Sequence, residues 1–241
     1  MFTVNHFIWL GISIILITGL LILSLKLKLN KHQAISIMCI ISILSELCKV
    51  FSHIKYVNGV DWTEGGVITP NALPLHLCSL FIFVFFFLFF NKNEKIEKHI
   101  ISFFVPIGIV AATLALLLAT SGVEFNKPQP YQCFIYHSAM VYLALYFIVT
   151  KQVTITFKDM MINIVVLFAL SIVMIWVNGA FRTYDTNFFF VVRPPADNLP
   201  FLNLNDGWYA YYFRLLLTGL LLEIIFSIPY LINGSIKETN K

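Results

Sequence analysis

Residues 71–79 read NALPLHLCS and run directly into residues 80–90, LFIFVFFFLFF. The second part contains only apolar side chains, as expected for a helix in contact with lipid. The first part brings a proline, an imidazole and a thiol, Pro74, His76 and Cys78, to the beginning of that apolar run. Polar side chains at that depth in a bilayer are costly and mark functional sites. The stretch therefore predicts both a membrane span and a candidate site.

The overall composition is that of an integral membrane protein. The 241 residues are 59% hydrophobic and only 12% charged, with a mean hydropathy of +0.85, whereas soluble domains carry about 25% charged residues. No glycine-rich phosphate loop, paired CxxC motif or HExxH motif occurs, so nothing supports a phosphate-loop enzyme, a zinc ribbon or a zinc peptidase. We expect a single membrane domain over residues 1–241, with no cofactor, no metal and no nucleic-acid partner.

Seven segments are apolar and long enough to cross about 30 Å of hydrocarbon as helices. The N-terminal segment is not preceded by lysine or arginine and has no small-residue cleavage site, so it predicts a retained first span. The predicted fold class is an all-α integral membrane protein, a seven-transmembrane-helix bundle. The predicted spans cover approximately 7–27, 33–56, 72–91, 99–119, 131–150, 160–179 and 208–231.

Lysine and arginine are unequally divided between two sets of alternate loops. One set carries ten of the 16 and the other carries four. Because cytoplasmic loops are enriched in these residues, the N-terminus is predicted outside and the C-terminus in the cytoplasm of a multi-pass plasma-membrane protein. The ten are Lys26, Lys28, Lys31, Lys92, Lys95, Lys98, Lys151, Lys158, Lys237 and Lys241, and the four are Lys55, Lys127, Arg182 and Arg193.

With this orientation, polar residues collect toward the outer leaflet. His76 and Cys78 lie near the outer end of the third span, and Cys133 and His137 lie near that of the fifth. The longest loop, residues 180–207, is also external. Further polar residues on this side are Asn178, Asn187, Arg193 and Arg214. The two arginines are interpreted as ligands for an anion such as a lipid phosphate, which guanidinium binds through paired hydrogen bonds.

The second span carries a polar stripe, because spacings of three and four residues place its members on one helix face. A charge at the bilayer centre costs at least about 2.5 kcal/mol, so the stripe is predicted to face the bundle interior as one wall of the site. Glu46 and Lys49, spaced i, i+3, form either a structural ion pair or a pair that orients catalytic groups. The stripe consists of Cys39, Ser42, Glu46, Lys49, His53 and Tyr56.

Two thiol–imidazole pairs are consistent with the spacing. His76 and Cys78 point about 200° apart on a regular helix, so a base for Cys78 must come from another helix or Pro74 must break the local geometry. His137 lies at a similar depth. Cys133 and His137, spaced i, i+4, share a face and form a rival pair. A disulfide between Cys78 and Cys133 is a third possibility.

Several motifs resemble those of the YwaF family, the bacterial branch grouped with the eukaryotic transmembrane protein 164 acyltransferases. They are residues 73–78 (LPLHLC), His137, residues 186–190 (TNFFF) and residues 193–195 (RPP). The resemblance covers nearly the whole chain, including the number of spans. The family has a Gly-Pro-Trp-Pro-Trp-Tyr type of stretch before the last span, where this chain reads NDGWYAYY over residues 205–212.

The resemblance implies a cysteine-dependent acyltransferase that acts on phospholipids or lysophospholipids, with Cys78 as the nucleophile. We expect its thiolate to attack an acyl ester and form a thioester, which a lysolipid hydroxyl then resolves. His137 is expected to act as general base, His76 as a second base or oxyanion donor, and Glu46 to orient these groups. The residues expected to hold the substrate are Lys49, His53, Asn178, Asn187, Arg193 and Arg214.

Two other functions use the same residues. Intramembrane Glu, Lys, His and Arg side chains also mark ion and proton pathways, so a transporter or lipid-binding protein is the alternative. A lipid hydrolase, in which water replaces the lysolipid, needs the same thiol and imidazole. No obligate protein partner is predicted.

Overall fold

The computed structural model describes residues 2–52, 70–119, 121–196 and 199–239. Within these ranges the chain forms seven α-helices, three short 3-10 helices and no strand, which confirms the all-helical prediction. The predicted positions His53, Lys55, Tyr56 and Lys241 lie outside the described residues. The helices are α1 (Val4–Lys26), α2 (Lys31–Ser52), α3 (Leu77–Phe90), α4 (Glu94–Leu118), α5 (Pro128–Val149), α6 (Phe157–Ala180) and α7 (Trp208–Thr239).

Six of the described helices, all except α3, are long and apolar enough to cross a membrane. This number of apolar helices indicates a multi-pass membrane protein. The 14 residues of α3 measure about 21 Å at 1.5 Å per residue, which is shorter than the hydrocarbon layer of about 30 Å. The seven-span count and the orientation of the termini therefore stay predictions.

The third predicted span, 72–91, is helical only from Leu77 onward. Pro74 disfavours helical backbone at the residue before it, and His76, with φ −70° and ψ 151°, is still extended. Pro74 thus precedes the helix by three residues instead of opening its first turn. As a consequence, Cys78 is the second residue of α3, and His76 occupies the N-cap position.

The central helix of the bundle is α5. Helices α1, α2 and α4 pack against it, and α3 contacts both α2 and α4. Of the most apolar part of α5, 67% is buried, against 17% for α1 and 11% for α7. Helices α6 and α7 pack on each other and also contact α4. Helix α2 therefore packs on both α3 and α5.

Contacts between loops and helix ends define one end of the bundle, here called the lysine end. Tyr146 Oη donates to the carbonyl oxygen of Leu29 at 2.7 Å, and His99 Nδ1 lies 2.6 Å from Asp159 Oδ1. The capping box of α6, formed by Thr156 and Asp159, begins the helix here. The lysine end consists of residues 27–30, 91–93 and 150–156.

The opposite end, here called the site end, consists of residues 70–76 and 181–193. Asn71 Nδ2 donates to the carbonyl oxygen of Tyr184 at 2.8 Å, which joins these two segments. Near the start of α1, His6 Nε2 is 2.9 Å from the carbonyl oxygen of Leu116, near the end of α4. The described contacts thus separate two ends of the bundle.

Candidate active site

His137 of α5 is held through one ring nitrogen. Its Nδ1 lies 2.6 Å from the carbonyl oxygen of Cys133, one turn earlier, and 3.5 Å from Cys133 Sγ. A carbonyl oxygen only accepts hydrogen bonds, so Nδ1 carries the hydrogen and donates it. In the neutral ring this leaves Nε2 unprotonated and able to accept a proton from another group.

Cys78 of α3 faces the same imidazole. Its side chain lies within interaction range of the His137 ring, and Tyr136 Oη donates to its carbonyl oxygen at 2.7 Å. Cys78 and His137 are both partly exposed. A thiol and an imidazole from two different helices therefore meet, and Nε2 is the nitrogen that can accept the thiol proton.

Cys133 is placed differently from Cys78. Its side chain is only 1% exposed, and its sulfur contacts Nδ1 of His137, the nitrogen that already carries a hydrogen. Nδ1 therefore cannot remove a proton from Cys133. All four cysteines are free thiols, so Cys78 and Cys133 form no disulfide. The geometry favours Cys78 over Cys133 as the reactive thiol.

The first turn of α3 supplies hydrogen-bond donors beside Cys78. The first backbone N–H groups of an α-helix have no acceptor within the helix. No side chain caps this helix, because His76 in the N-cap position makes no such bond. Amides at a helix N-terminus, together with the positive end of the helix dipole, stabilise a negatively charged oxygen. An oxyanion formed at Cys78 would therefore meet unpaired donors.

The predicted polar face of α2 is turned toward the bundle. Ser42 is fully buried and Glu46 and Lys49 are partly buried, and Gln132 Nε2 of α5 donates to Ser45 Oγ at 2.7 Å. Other faces of the helix carry the exposed apolar side chains Ile40, Ile43, Leu44 and Leu47.

The ion pair of α2 lies next to the thiol and imidazole groups. Lys49 Nζ is 2.7 Å from both carboxylate oxygens of Glu46. Lys49 and His137 are within electrostatic range of His76, and Glu46 is within range of Tyr136. The structure thus brings four predicted catalytic residues to one region, with Lys49 beside them. They are Cys78, His76, His137 and Glu46.

The segment between α6 and α7 packs on His76. The imidazole centroid lies 5.3 Å from the ring of Phe188 and 5.5 Å from that of Phe190. Phe189 and Phe190 have φ values of 58° and 55°, a left-handed conformation that costs a residue with a side chain about 1–2 kcal/mol. Such strain persists only where surrounding contacts hold it, and it concentrates at functional sites.

Two asparagines expected to hold substrate supply those contacts. Asn178 Oδ1 accepts from the backbone N–H of Phe188 at 2.9 Å, and its Nδ2 donates to the carbonyl oxygen of the same residue at 3.1 Å. Asn187 Oδ1 accepts from the N–H groups of Val192 and Arg193, both at 3.2 Å. These side chains are engaged in supporting the segment that covers His76.

The two arginines expected to bind phosphate pair with exposed aspartates at the site end. Arg193 Nη2 is 2.8 Å from Asp185 Oδ2, and that carboxylate is 81% exposed. Arg214 pairs with Asp206 and lies 3.3 Å from Asn203 Oδ1. Exposed ion pairs contribute only about 0–1 kcal/mol, so an incoming phosphate can replace either aspartate.

Tyr136 belongs to the site although the sequence analysis did not single it out. It is 2% exposed, bonds to the backbone of Cys78, and also contacts Ser42. The sequence feature that could have indicated Tyr136 is its i, i+3 spacing from Cys133, which places the two residues on the same face of α5. His53 lies outside the described residues. Within the described ranges, no three His, Cys, Asp or Glu side chains form a group that could hold a metal ion.

Residues 1–228 match the sequence model of the TMEM164 family. The chain belongs to the TMEM164 family. The match confirms the part of the resemblance that names this family, and it includes every residue of the candidate site. Comparisons with curated proteins and with solved structures give no match.

In this TMEM164-family protein, replacing Asn178 with alanine is expected to lower thermal stability. The N–H and C=O groups of Phe188 would lose their buried partner, at about 1–3 kcal/mol per unsatisfied group. We expect the Tm in detergent to fall by about 4 °C or more. Asn205→Ala is the matched control, because that side chain is exposed. An equal Tm for the two variants would contradict the supporting role.

Proposed function

We propose that this protein is a cysteine-dependent phospholipid acyltransferase of the bacterial YwaF branch, acting at the outer leaflet of the plasma membrane. The observation that carries the proposal is the partly exposed Cys78 thiol beside a His137 imidazole whose Nδ1 hydrogen is already engaged. A thiol next to an imidazole that can take its proton is the arrangement of an activated nucleophile. Membership of the TMEM164 family is consistent with this reaction.

In the first half-reaction, Nε2 of His137 accepts the proton of the Cys78 thiol. The thiolate attacks the carbonyl carbon of a phospholipid acyl ester and forms a C–S bond, and the negative charge moves to the carbonyl oxygen. The unpaired amides of the first turn of α3 stabilise this oxyanion. The ester C–O bond then breaks, and the imidazolium gives its proton to the leaving lysophospholipid oxygen.

In the second half-reaction, the acceptor is the hydroxyl of a second lysophospholipid. Neutral His137 removes the hydroxyl proton while the oxygen attacks the thioester carbonyl of Cys78. A new C–O ester bond forms, the C–S bond breaks, and the imidazolium returns its proton to the sulfur. The enzyme is regenerated, and the two half-reactions need no reactant besides the donor phospholipid and the acceptor lysophospholipid. If water replaces the hydroxyl, the same steps release a fatty acid.

The surrounding residues position these groups. Tyr136 holds the backbone of Cys78 through its hydrogen bond, and the Glu46–Lys49 ion pair lies within electrostatic range of Tyr136 and His76. His76, which occupies the N-cap position of α3 without a capping side-chain bond, is proposed as a second base or as an oxyanion donor.

The phosphate of the lipid headgroup is assigned to Arg193 and Arg214, because their exposed carboxylate partners are replaceable. Lys49 and His53 are proposed as further contacts, since both belong to the polar face of the second predicted span. Asn178 and Asn187 contribute through the segment that carries Arg193.

The experiment is acyl transfer in liposomes that contain the purified protein. The donor phospholipid carries an isotopically labelled acyl chain, and an unlabelled lysophospholipid is the acceptor. We expect the label in newly formed phospholipid and, transiently, on the peptide that contains Cys78, from which neutral hydroxylamine releases it. Label found only in free fatty acid would indicate a hydrolase. Absence of both products, together with lipid or ion flux, would favour the transporter.

A further inference from the structure

A second polar group lies in α7, apart from the candidate active site. Glu223 is 3% exposed and Ser227, one turn later, is fully buried. Ser227 Oγ is 3.3 Å from Glu223 Oε1. A carboxyl group in the interior of an apolar helix is expensive and by default marks a function.

A proline in the neighbouring helix α4 frees a backbone carbonyl oxygen, and the partner of the Glu223 carboxyl group also binds this oxygen. Pro106 lies inside α4 and has no N–H, so the carbonyl oxygen of Ser102, four residues earlier, loses its helical donor. Asn163 Nδ2 of α6 donates to that oxygen at 3.0 Å and to Glu223 Oε1 at 2.8 Å. Both hydrogens of the Asn163 amide are thereby used.

The other carboxyl oxygen, Glu223 Oε2, is buried and has no hydrogen-bond partner among the described residues. An ionised carboxylate needs both oxygens to be hydrogen-bonded or paired when it leaves water, and without this the group takes up a proton. A proton on Oε2 removes the charge and leaves Oε1 as the acceptor for Asn163 and Ser227.

The nearest titratable groups on the packed helices do not supply a counter-charge. One turn from Asn163 on α6 lies Asp159, and one turn from Ser102 on α4 lies His99. These two side chains bond to each other at 2.6 Å at the lysine end. The carboxylate of Glu97, which is buried in α4, is paired with Lys31.

We propose that Glu223, held by Asn163 and Ser227, is an intramembrane proton-binding site, separate from the Cys78 site. The carboxyl group carries one exchangeable proton and joins α7 to α6 and, through Ser102, to α4. Loss of that proton places a charge between these three helices and weakens their packing. Binding and release of a proton at this position therefore change how α6 and α7 fit against α4.

The test is labelling with dicyclohexylcarbodiimide, a membrane-soluble reagent that adds to protonated carboxyl groups. The carboxyl O–H adds across one C=N bond to give an O-acylisourea, which rearranges to a stable N-acylurea. We expect mass spectrometry of the protein in liposomes to find the adduct on Glu223, with less adduct as pH rises. Glu97 and Asp159, which are also buried but are paired with Lys31 and His99, are internal controls and should stay unlabelled.

A second readout does not depend on reactivity. The infrared C=O stretch of a protonated carboxyl group should be present in the wild type and absent in Glu223→Gln, and Cys78→Ala should leave it unchanged. No adduct on Glu223 and no such infrared band would overturn the proposal. Adduct formation that sodium ions suppress at constant pH would also overturn it, because the site would then bind a metal cation in place of the proton.

Discussion

Replacing Cys78 with alanine is expected to abolish acyl transfer, with the initial rate at least about 1,000-fold lower than that of the wild type. The substitution removes the sulfur that forms the thioester, and no other described thiol can replace it. Cys133 contacts His137 only at the nitrogen that already carries a hydrogen. The measurement is the rate of labelled phospholipid formation in liposomes, with the acyl-protein intermediate quantified in parallel.

Cys133→Ala is the matched control for this variant, because both cysteines lie within interaction range of the same imidazole. We expect it to retain most of the activity and the acyl-protein intermediate. The reverse result, an active Cys78→Ala protein and an inactive Cys133→Ala protein, would move the nucleophile to α5. Equal Tm values for the two variants would show that any difference in rate does not come from unfolding.

Replacing His137 with alanine is expected to have the second-largest effect. Loss of a general base lowers rates by about 100- to 10,000-fold, because the thiol must then ionise without an acceptor. A thiol reacts with alkylating reagents as its thiolate, so we expect Cys78 of the variant to be alkylated more slowly than in the wild type. The measurement is the alkylation rate of Cys78 in native membranes between pH 6 and pH 9 (roughly the range in which a thiol ionises), followed by mass spectrometry.

His76→Ala provides the comparison for His137→Ala. His76 contacts the rings of Phe188 and Phe190 at the N-cap position of α3, so we expect a smaller loss of Cys78 alkylation and no change in its pH dependence. A large loss in the His76 variant with normal alkylation in the His137 variant would assign the base to His76. If neither histidine affects alkylation, Cys78 is not activated and the acyltransferase proposal fails.

The positions of the helices follow from local sequence. Apolar runs of about 20 residues predict membrane helices wherever they occur, because lipid leaves backbone groups no partner outside the helix. The polar stripe of α2 was predictable for the same reason: a 3.6-residue period puts Ser42, Glu46 and Lys49 on one face, and that face is turned inward. The late start of α3 was not predictable in this way, because Pro74 restricts only the residue before it, whereas the backbone stays extended up to His76.

Side-chain partners from different helices depended on the fold. Sequence spacing left Cys78 and Cys133 as rival candidates and only the family resemblance favoured Cys78. The structural argument for Cys78 is that a backbone carbonyl engages Nδ1 of His137. Sequence alone assigned no partner to Glu223, because Asn163 lies 60 residues away. The bonds of Asn178 and Asn187 to the covering segment were likewise not predictable from spacing. The physical reason is common to all three: periodicity specifies the face of one helix, whereas contact between faces is decided by how the helices pack.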